Sequence, residues 1–258
     1  MRTYTNMTWP DDPYRTGQQL YRRPVPRLAA FTAERTAAGG QSASVEAVAI
    51  VYLPLHRTEA ISVTEQTLTF GFRAASTDDA AELPGLAAVA DLDLMQARRH
   101  AAVLAGHLLA GDLVGLRRAG DAAALRGLAA VEDEWAARGK ATGRAATFDC
   151  GLDLPGCSPL ERACQQAGIA AGPGGDRPAD RQAAARAVER ALMIALVCAR
   201  HQGRYDWTGM LSIGQVMAAA TWDCLPWPGS DTPAALASQD AIDGRAAAAP
   251  SVACGNLK

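Results

Sequence analysis

The chain has 258 residues, a formal net charge of -2, and 49% hydrophobic but only 5% aromatic residues. That length suits one α/β core domain with extensions, and near-neutrality excludes a protein that wraps nucleic acid through a strong basic excess, leaving room for a local basic patch. No run reaches the roughly 18 apolar residues of a membrane span and the opening segment has no signal-peptide core, so a cytoplasmic protein with no membrane partner is expected.

Residues 1–26 are polar and proline-containing and are expected to form an extended N-terminal arm. "RLAAFTAERT" (27–36) then reads as a short buried strand. In "VEAVAIVYLPL" (45–55) Val45, Ala47, Ala49 and Val51 alternate with Glu46, Val48, Ile50 and Tyr52, a strand with at least one face in the core. "AISVTEQTLTFGFRA" (60–74), rich in β-branched and aromatic residues, completes an antiparallel meander. From Asp91 the period becomes helical, with Leu94, Ala97, Ala101 and Leu104 in step. Either one helix runs to about Arg118, or "AAVLAGH" is a short strand between two helices.

"DAAALRGLAAVEDEWAARGK" (121–140) is an amphipathic helix with Leu125, Leu128, Val131 and Trp135 on one face, and "RAATFDC" is a further strand. In "SPLERACQQAG", Ser158 is expected as N-cap, Pro159 at the first helical position, Glu161 closing a capping box and Gly168 ending the helix. A long helix from about Arg181 to His201 carries Val188, Ala191, Ala195 and Cys198 along one stripe. A second capping box, Ser212 with Gln215, opens a helix with Ile213, Val216, Met217 and Ala220 as its apolar face. Residues 226–258 have no sustained period and read as a flexible C-terminal tail.

The six cysteines include no C-x-x-C pair and the four histidines no ligand-spaced cluster, so buried reduced thiols are expected rather than a zinc site. Lysine occurs only at Lys140 and Lys258, an arginine bias that reads as GC-rich coding. The pairs Arg22-Arg23, Arg98-Arg99 and Arg117-Arg118 and the helical set Arg181, Arg186 and Arg190 read as solvated faces, with phosphate contact as the alternative. Tyr205, Trp207, Trp222 and Trp227 read as cover for the core, with a partner-binding face or base-stacking platform as the alternative.

Three strands, helices, a further strand and a long last helix give the element order of a ribonuclease H-like domain, a mixed sheet of three antiparallel strands and further strands flanked by helices. Within it Phe31-Thr32-Ala33-Glu34-Arg35-Thr36 resembles the F-D-T-E-T-T motif of the DEDD 3′–5′ exonucleases, the family of the proofreading subunit of bacterial replicative polymerase. His107 and Asp112 in "HLLAGD" fit that family's H-N-x-x-F-D, and "ERALMIA" is similar to its H-x-A-x-x-D-A helix. The resemblance covers about residues 27–201, within a domain expected over 27–225.

The resemblance implies four carboxylates holding two Mg²⁺ ions that clamp the attacking and leaving oxygens of a phosphodiester, with a histidine helping to deprotonate water. Here Glu34 and Asp112 are kept as metal and catalytic acids, Glu189 stands at the histidine position, and Thr32 and Ile194 replace two aspartates. Asp149, just past a strand, is the other candidate acid, with a turn or cap role as its alternative. Two carboxylates suit no metal, or one weakly bound Mg²⁺ or Mn²⁺. The expectation is an exonuclease-like domain, catalytically weak or inactive, serving as a module for single-stranded nucleic acid or a protein partner. The alternatives are an active exonuclease with a rearranged one-metal site and an interaction protein unrelated to nucleases.

Overall fold

A strand forms at the start of the chain, where composition leads one to expect an arm. The computed structural model describes residues 1–7, 27–35, 44–56, 58–121, 123–138, 145–171, 181–220 and 222–225. Arg2–Thr5 is strand β1, with Thr3, Tyr4 and Thr5 buried. Threonine and tyrosine suit a pleated surface, but four residues are too few to reveal a period. Residues 8–26 of the expected arm and the expected tail from 226 lie outside the described residues.

Strands β2 (Arg27–Arg35) and β3 (Val45–Pro54) pair antiparallel as expected, from Arg27↔Pro54 to Arg35↔Val45, with a bulge between Glu34 and Arg35. The third run is broken. Ile61–Ser62 forms a short strand β4, Thr64 accepts the Thr67 and Leu68 N–H groups through its carbonyl, and only Gly71–Ser76 forms the sheet strand β5. The Thr64 N–H donates to the Thr67 hydroxyl at 2.9 Å, the local side-chain bonding by which threonine diverts a strand into a turn.

Helix α1 spans Leu83–His100, starting earlier than Asp91 because the Asp79 carboxylate accepts the Ala81 N–H at 2.8 Å and opens a helical turn over Ala80–Glu82. The two-helix alternative then holds, with β6 at Val103–Gly106 and α2 at Leu109–Ala119. Helix α3 (Arg126–Ala136) buries Leu128, Val131 and Trp135 and is followed by β7 (Ala146–Asp149) and α4 (Cys150–Asp153). In α5 (Leu160–Gln166) the expected capping box is absent: extended Pro159 is the N-cap and no side chain caps the helix. After β8 (Ile169–Ala170) comes α6 (Gln182–His201). The chain ends its described part with β9 (Tyr205–Asp206), β10 (Leu211–Ser212), α7 (Ile213–Ala218) and β11 (Asp223–Leu225). Ser212 is the N-cap of α7 but makes no side-chain capping bond.

The main sheet is mixed, in the order β11-β1-β5-β3-β2-β6-β7. β3 is antiparallel to β2 and β5, while β6 is parallel to both β2 and β7, so β2, β5, β6 and β7 end on the same edge. One face carries α6, where Leu28, Ala30, Ala47, Ala49 and Val51 pack with Val188, Ala191, Leu192 and Ala195. Residues of the other parity, such as Phe31 and Ile50, face the side of α1. Covering both faces makes β2 and β3 almost wholly buried rather than alternately polar. β1 extends the sheet beyond β5: the Thr5 hydroxyl donates to Phe72 O at 2.7 Å and the Asn6 amide brackets the Phe70 and Phe72 backbone. The aromatics behave as core cover. Trp222 packs on Tyr4 and Phe72 with ring centroids 6.1 and 4.5 Å away, and the Trp207 indole N–H donates to Gly168 O at 3.0 Å. Trp227 lies outside the described residues.

Candidate functional site

In an open α/β sheet, ligands meet the carboxyl ends of the strands. Here that edge gathers the end of β2 with Thr32 and Glu34, the turn after β6 with His107 and Leu108, and the end of β7 with Asp149. Leu108 takes the left-handed conformation at φ 52° and ψ 37°, which costs a non-glycine residue about 1–2 kcal/mol.

Asp149 holds that turn in place. Its side chain is 0% exposed, and it accepts the N–H groups of Leu108 at 2.8 Å, Leu109 at 3.2 Å and Gly151 at 3.0 Å, with the Trp135 indole N–H at 3.0 Å. Burial pushes the carboxyl up, yet these donors together hold it below its usual range. Arg138 lies 3.8 Å from Asp149 and pairs closely with Asp153, whose carboxylate accepts the Asp149 N–H. With every acceptor position filled, Asp149 joins α2, α3 and β7, which is the cap role.

Asp112, in the first turn of α2, reaches β2 beyond the last β2–β6 pair, Ala30↔Ala105. One oxygen accepts the Ala33 N–H at 3.2 Å and the other the Arg35 guanidinium at 3.2 Å. The carboxylate thereby prolongs the ladder where the neighbouring strand has ended. Burial raises its pKa against the pull of Ala33, Arg35 and Arg190. Glu34 is half-buried, and burial raises its pKa too, against the charges of Arg190 and Arg186. By strand alternation Thr32 and Glu34 face the α6 side and Arg35 the opposite side.

His107 is 7% exposed and its Nδ1 has no hydrogen-bond partner among the described residues. Burial and the Arg190 charge lower its pKa, outweighing Asp149, so the ring is neutral at neutral pH. Glu189 stands part-exposed on α6, and the charge from this helix that acts on all three of Glu34, Asp112 and His107 is that of Arg190, with Arg186 acting on Glu34 as well. Thr32 is buried, and Ile194 is wholly buried, with its carbonyl 3.9 Å from the Cys150 thiol. Among the described residues no three His, Cys, Asp or Glu side chains are grouped to hold a metal ion.

The donor set does not fit a pair of divalent cations. Asp112 is committed to a main-chain N–H and a guanidinium, Glu34 lies in the field of two arginines, and Ile194 offers no oxygen side chain. The sequence reading took Arg190 as a surface arginine; the cue it missed was Arg35, directly after Glu34. Other arginines also have partners: Arg98 pairs with Glu134 at 2.6 Å, Arg117 with Glu132, and Arg186 with Glu46. Arg22 and Arg23 lie outside the described residues. Cys150, Cys157, Cys164 and Cys198 are buried free thiols, with Cys164 pushed by burial up to about 12.

Comparison with protein-family models, curated proteins and solved structures returns no match. No helix among the described residues is long and apolar enough to cross a membrane.

Proposed function

We propose that this chain is a ribonuclease H-like domain of exonuclease descent that no longer hydrolyses phosphodiesters efficiently and serves as a nucleic-acid-associated module. The mixed sheet supports the fold assignment, because an antiparallel meander continues through two parallel strands whose ends meet at one edge. The observation that carries the functional reading is Asp112. A two-metal hydrolase needs that carboxylate free for an ion, and here both of its oxygens are taken by Ala33 and Arg35. Thr32 and Ile194 add no charge, so a pair of divalent ions would meet one carboxylate paired with Arg35 and another lying in the field of Arg190 and Arg186.

The test is digestion of 3′-labelled single-stranded DNA and RNA by the purified chain in Mg²⁺ or Mn²⁺, beside a Glu34→Ala, Asp112→Ala double variant, with oligonucleotide binding followed by fluorescence anisotropy. The expected result is no shortening by either protein and saturable binding by the wild type. Metal-dependent shortening by the wild type alone overturns the reading, as does failure of the folded protein to bind either oligonucleotide.

A further inference from the structure

The carboxyl end of β5 opens into a cavity of about 590 Å³, two strands away from Thr32 and Glu34 in the sheet order. That volume lies within the roughly 300–1,000 Å³ of small-molecule sites. Gln182 and Ala183 line it from the start of α6, Val45 and Glu46 from the start of β3, and Asp78 and Asp79 from the turn that leads into α1. Ser76, the last residue of β5, lines it too. Its main chain is held in the ladders against Arg2 and Ala47, and strand alternation puts its side chain on the α6 side with Phe72 and Ala74. Ser76 is only 8% exposed, and its hydroxyl has no hydrogen-bond partner among the described residues. A hydroxyl so buried is costly unless something in the cavity meets it.

The two sides of the cavity differ in sign. No side chain caps the start of α6, a helix of 20 residues, and its first turn holds no acidic residue, so the helix dipole presents about half a positive charge there. Arg186 adds no surplus charge, because it pairs with Glu46. On the turn, Asp78 is exposed and makes no ion pair among the described residues, while Asp79 uses one oxygen to accept the Ala81 N–H. Arg2, the remaining charged side chain in the lining, is exposed. A purely anionic ligand would oppose the acids of the turn, and a purely cationic one would oppose the helix dipole. A ligand carrying both charges suits both sides. We propose that this cavity binds a free α-amino acid, with its carboxylate at the start of α6 beside the Ser76 hydroxyl and its ammonium on Asp78. Val45 and Ala183 give its side chain an apolar wall.

The probes are the twenty free amino acids, each titrated singly into the full chain by isothermal titration calorimetry, followed by the N-acetyl and carboxamide forms of whichever binds. At least one is expected to bind with a Kd of roughly 1 mM or tighter. Both blocked forms are expected to bind at least about tenfold more weakly, because each block removes a hydrogen bond to a charged group. Asp78→Asn should weaken binding by a similar factor, and Ser76→Ala by about threefold or more, with circular dichroism showing that each variant is folded. Asp78 is exposed and its variant keeps the fold; should Ser76→Ala misfold, Ser76→Cys replaces it. No saturable heat with any of the twenty, equal binding of the blocked forms, or binding left unchanged by Asp78→Asn or by the Ser76 variant, overturns the inference. Its outcome is independent of oligonucleotide binding, so failure of the proposed function leaves it standing.

Discussion

Replacing Asp149 with asparagine changes almost no volume and tests the organisation of the site edge directly. Each carboxylate oxygen accepts two donors: Leu108 and Gly151 on one, Leu109 and the Trp135 indole on the other. Whichever way an asparagine amide is turned, its NH₂ group faces two N–H donors, so two charge-assisted bonds are lost. At about 1.5–3 kcal/mol each, the loss is about 3–6 kcal/mol, comparable with the roughly 5–15 kcal/mol that holds a typical domain folded. Urea unfolding at pH 7, followed by tryptophan fluorescence because Trp135 is a direct partner, should show a large fall in midpoint with little change in slope. Trp135→Phe, which removes one bond, should cost about 1.5–3 kcal/mol. The sign with pH follows from the depressed pKa: the Asp149 contribution is present above its ordinary value of 3.8 and is lost as pH falls below it. An Asp149→Asn protein within about 1 kcal/mol of wild type would refute the reasoning.

Two further predictions concern the packing of α1. Asp93 is buried beside Arg73 at 3.2 Å, and burial pushes its carboxyl from 3.8 up to about 6. A raised pKa gives stability that is full below the unfolded value and lost as pH rises through about 6; the difference corresponds to about 3 kcal/mol at most. Unfolding free energy measured from pH 4 to 7 should therefore carry a falling component that Asp93→Asn removes, and an unchanged slope in the variant would contradict it. In α3, alanine for glycine would ordinarily favour the helix by about 0.5–1 kcal/mol. At Gly127, however, a Cβ would stand 2.2 Å from the Asp91 carbonyl oxygen. Gly127→Ala should destabilise by about 3 kcal/mol or more, read by thermal or urea unfolding, and a neutral or stabilised variant would show that α1 and α3 separate freely.

How much of this the residues announce depends on the range of the physics involved. β2, β3, α3 and α6 were legible because long apolar runs and helical stripes are local signals. β1 was not, because its strand character comes from pairing with β5 and β11 rather than from its own four residues. The break in 60–74 was hidden because threonine favours strands and also closes turns; the Thr64–Thr67 contact decided between them. The start of α1 was legible in principle at Asp79, a helix cap that the later periodic stretch overshadowed. In the site, Glu34 and Asp112 could be proposed only through the resemblance of their motifs, and their engagement by arginines is tertiary. Asp149 was weighed as an acid or a cap, and only the folded turn after β6 supplies the donors that make it a cap. Ser158 and Gln215 matched capping patterns that the backbone does not use.

The pairing of β1 with β11 has a consequence for biosynthesis. Thr3 meets Leu225 and Thr5 meets Asp223, so the outermost ladder joins segments made at the start and near the end of translation of the domain. Such closure is slow because distant segments must find each other. Until β11 emerges, β1 presents an unsatisfied sheet edge, the kind of surface on which nascent chains associate wrongly. The ribosome-bound domain therefore carries this open flank until β11, the last strand among the described residues, appears and covers β1 with a short edge of its own.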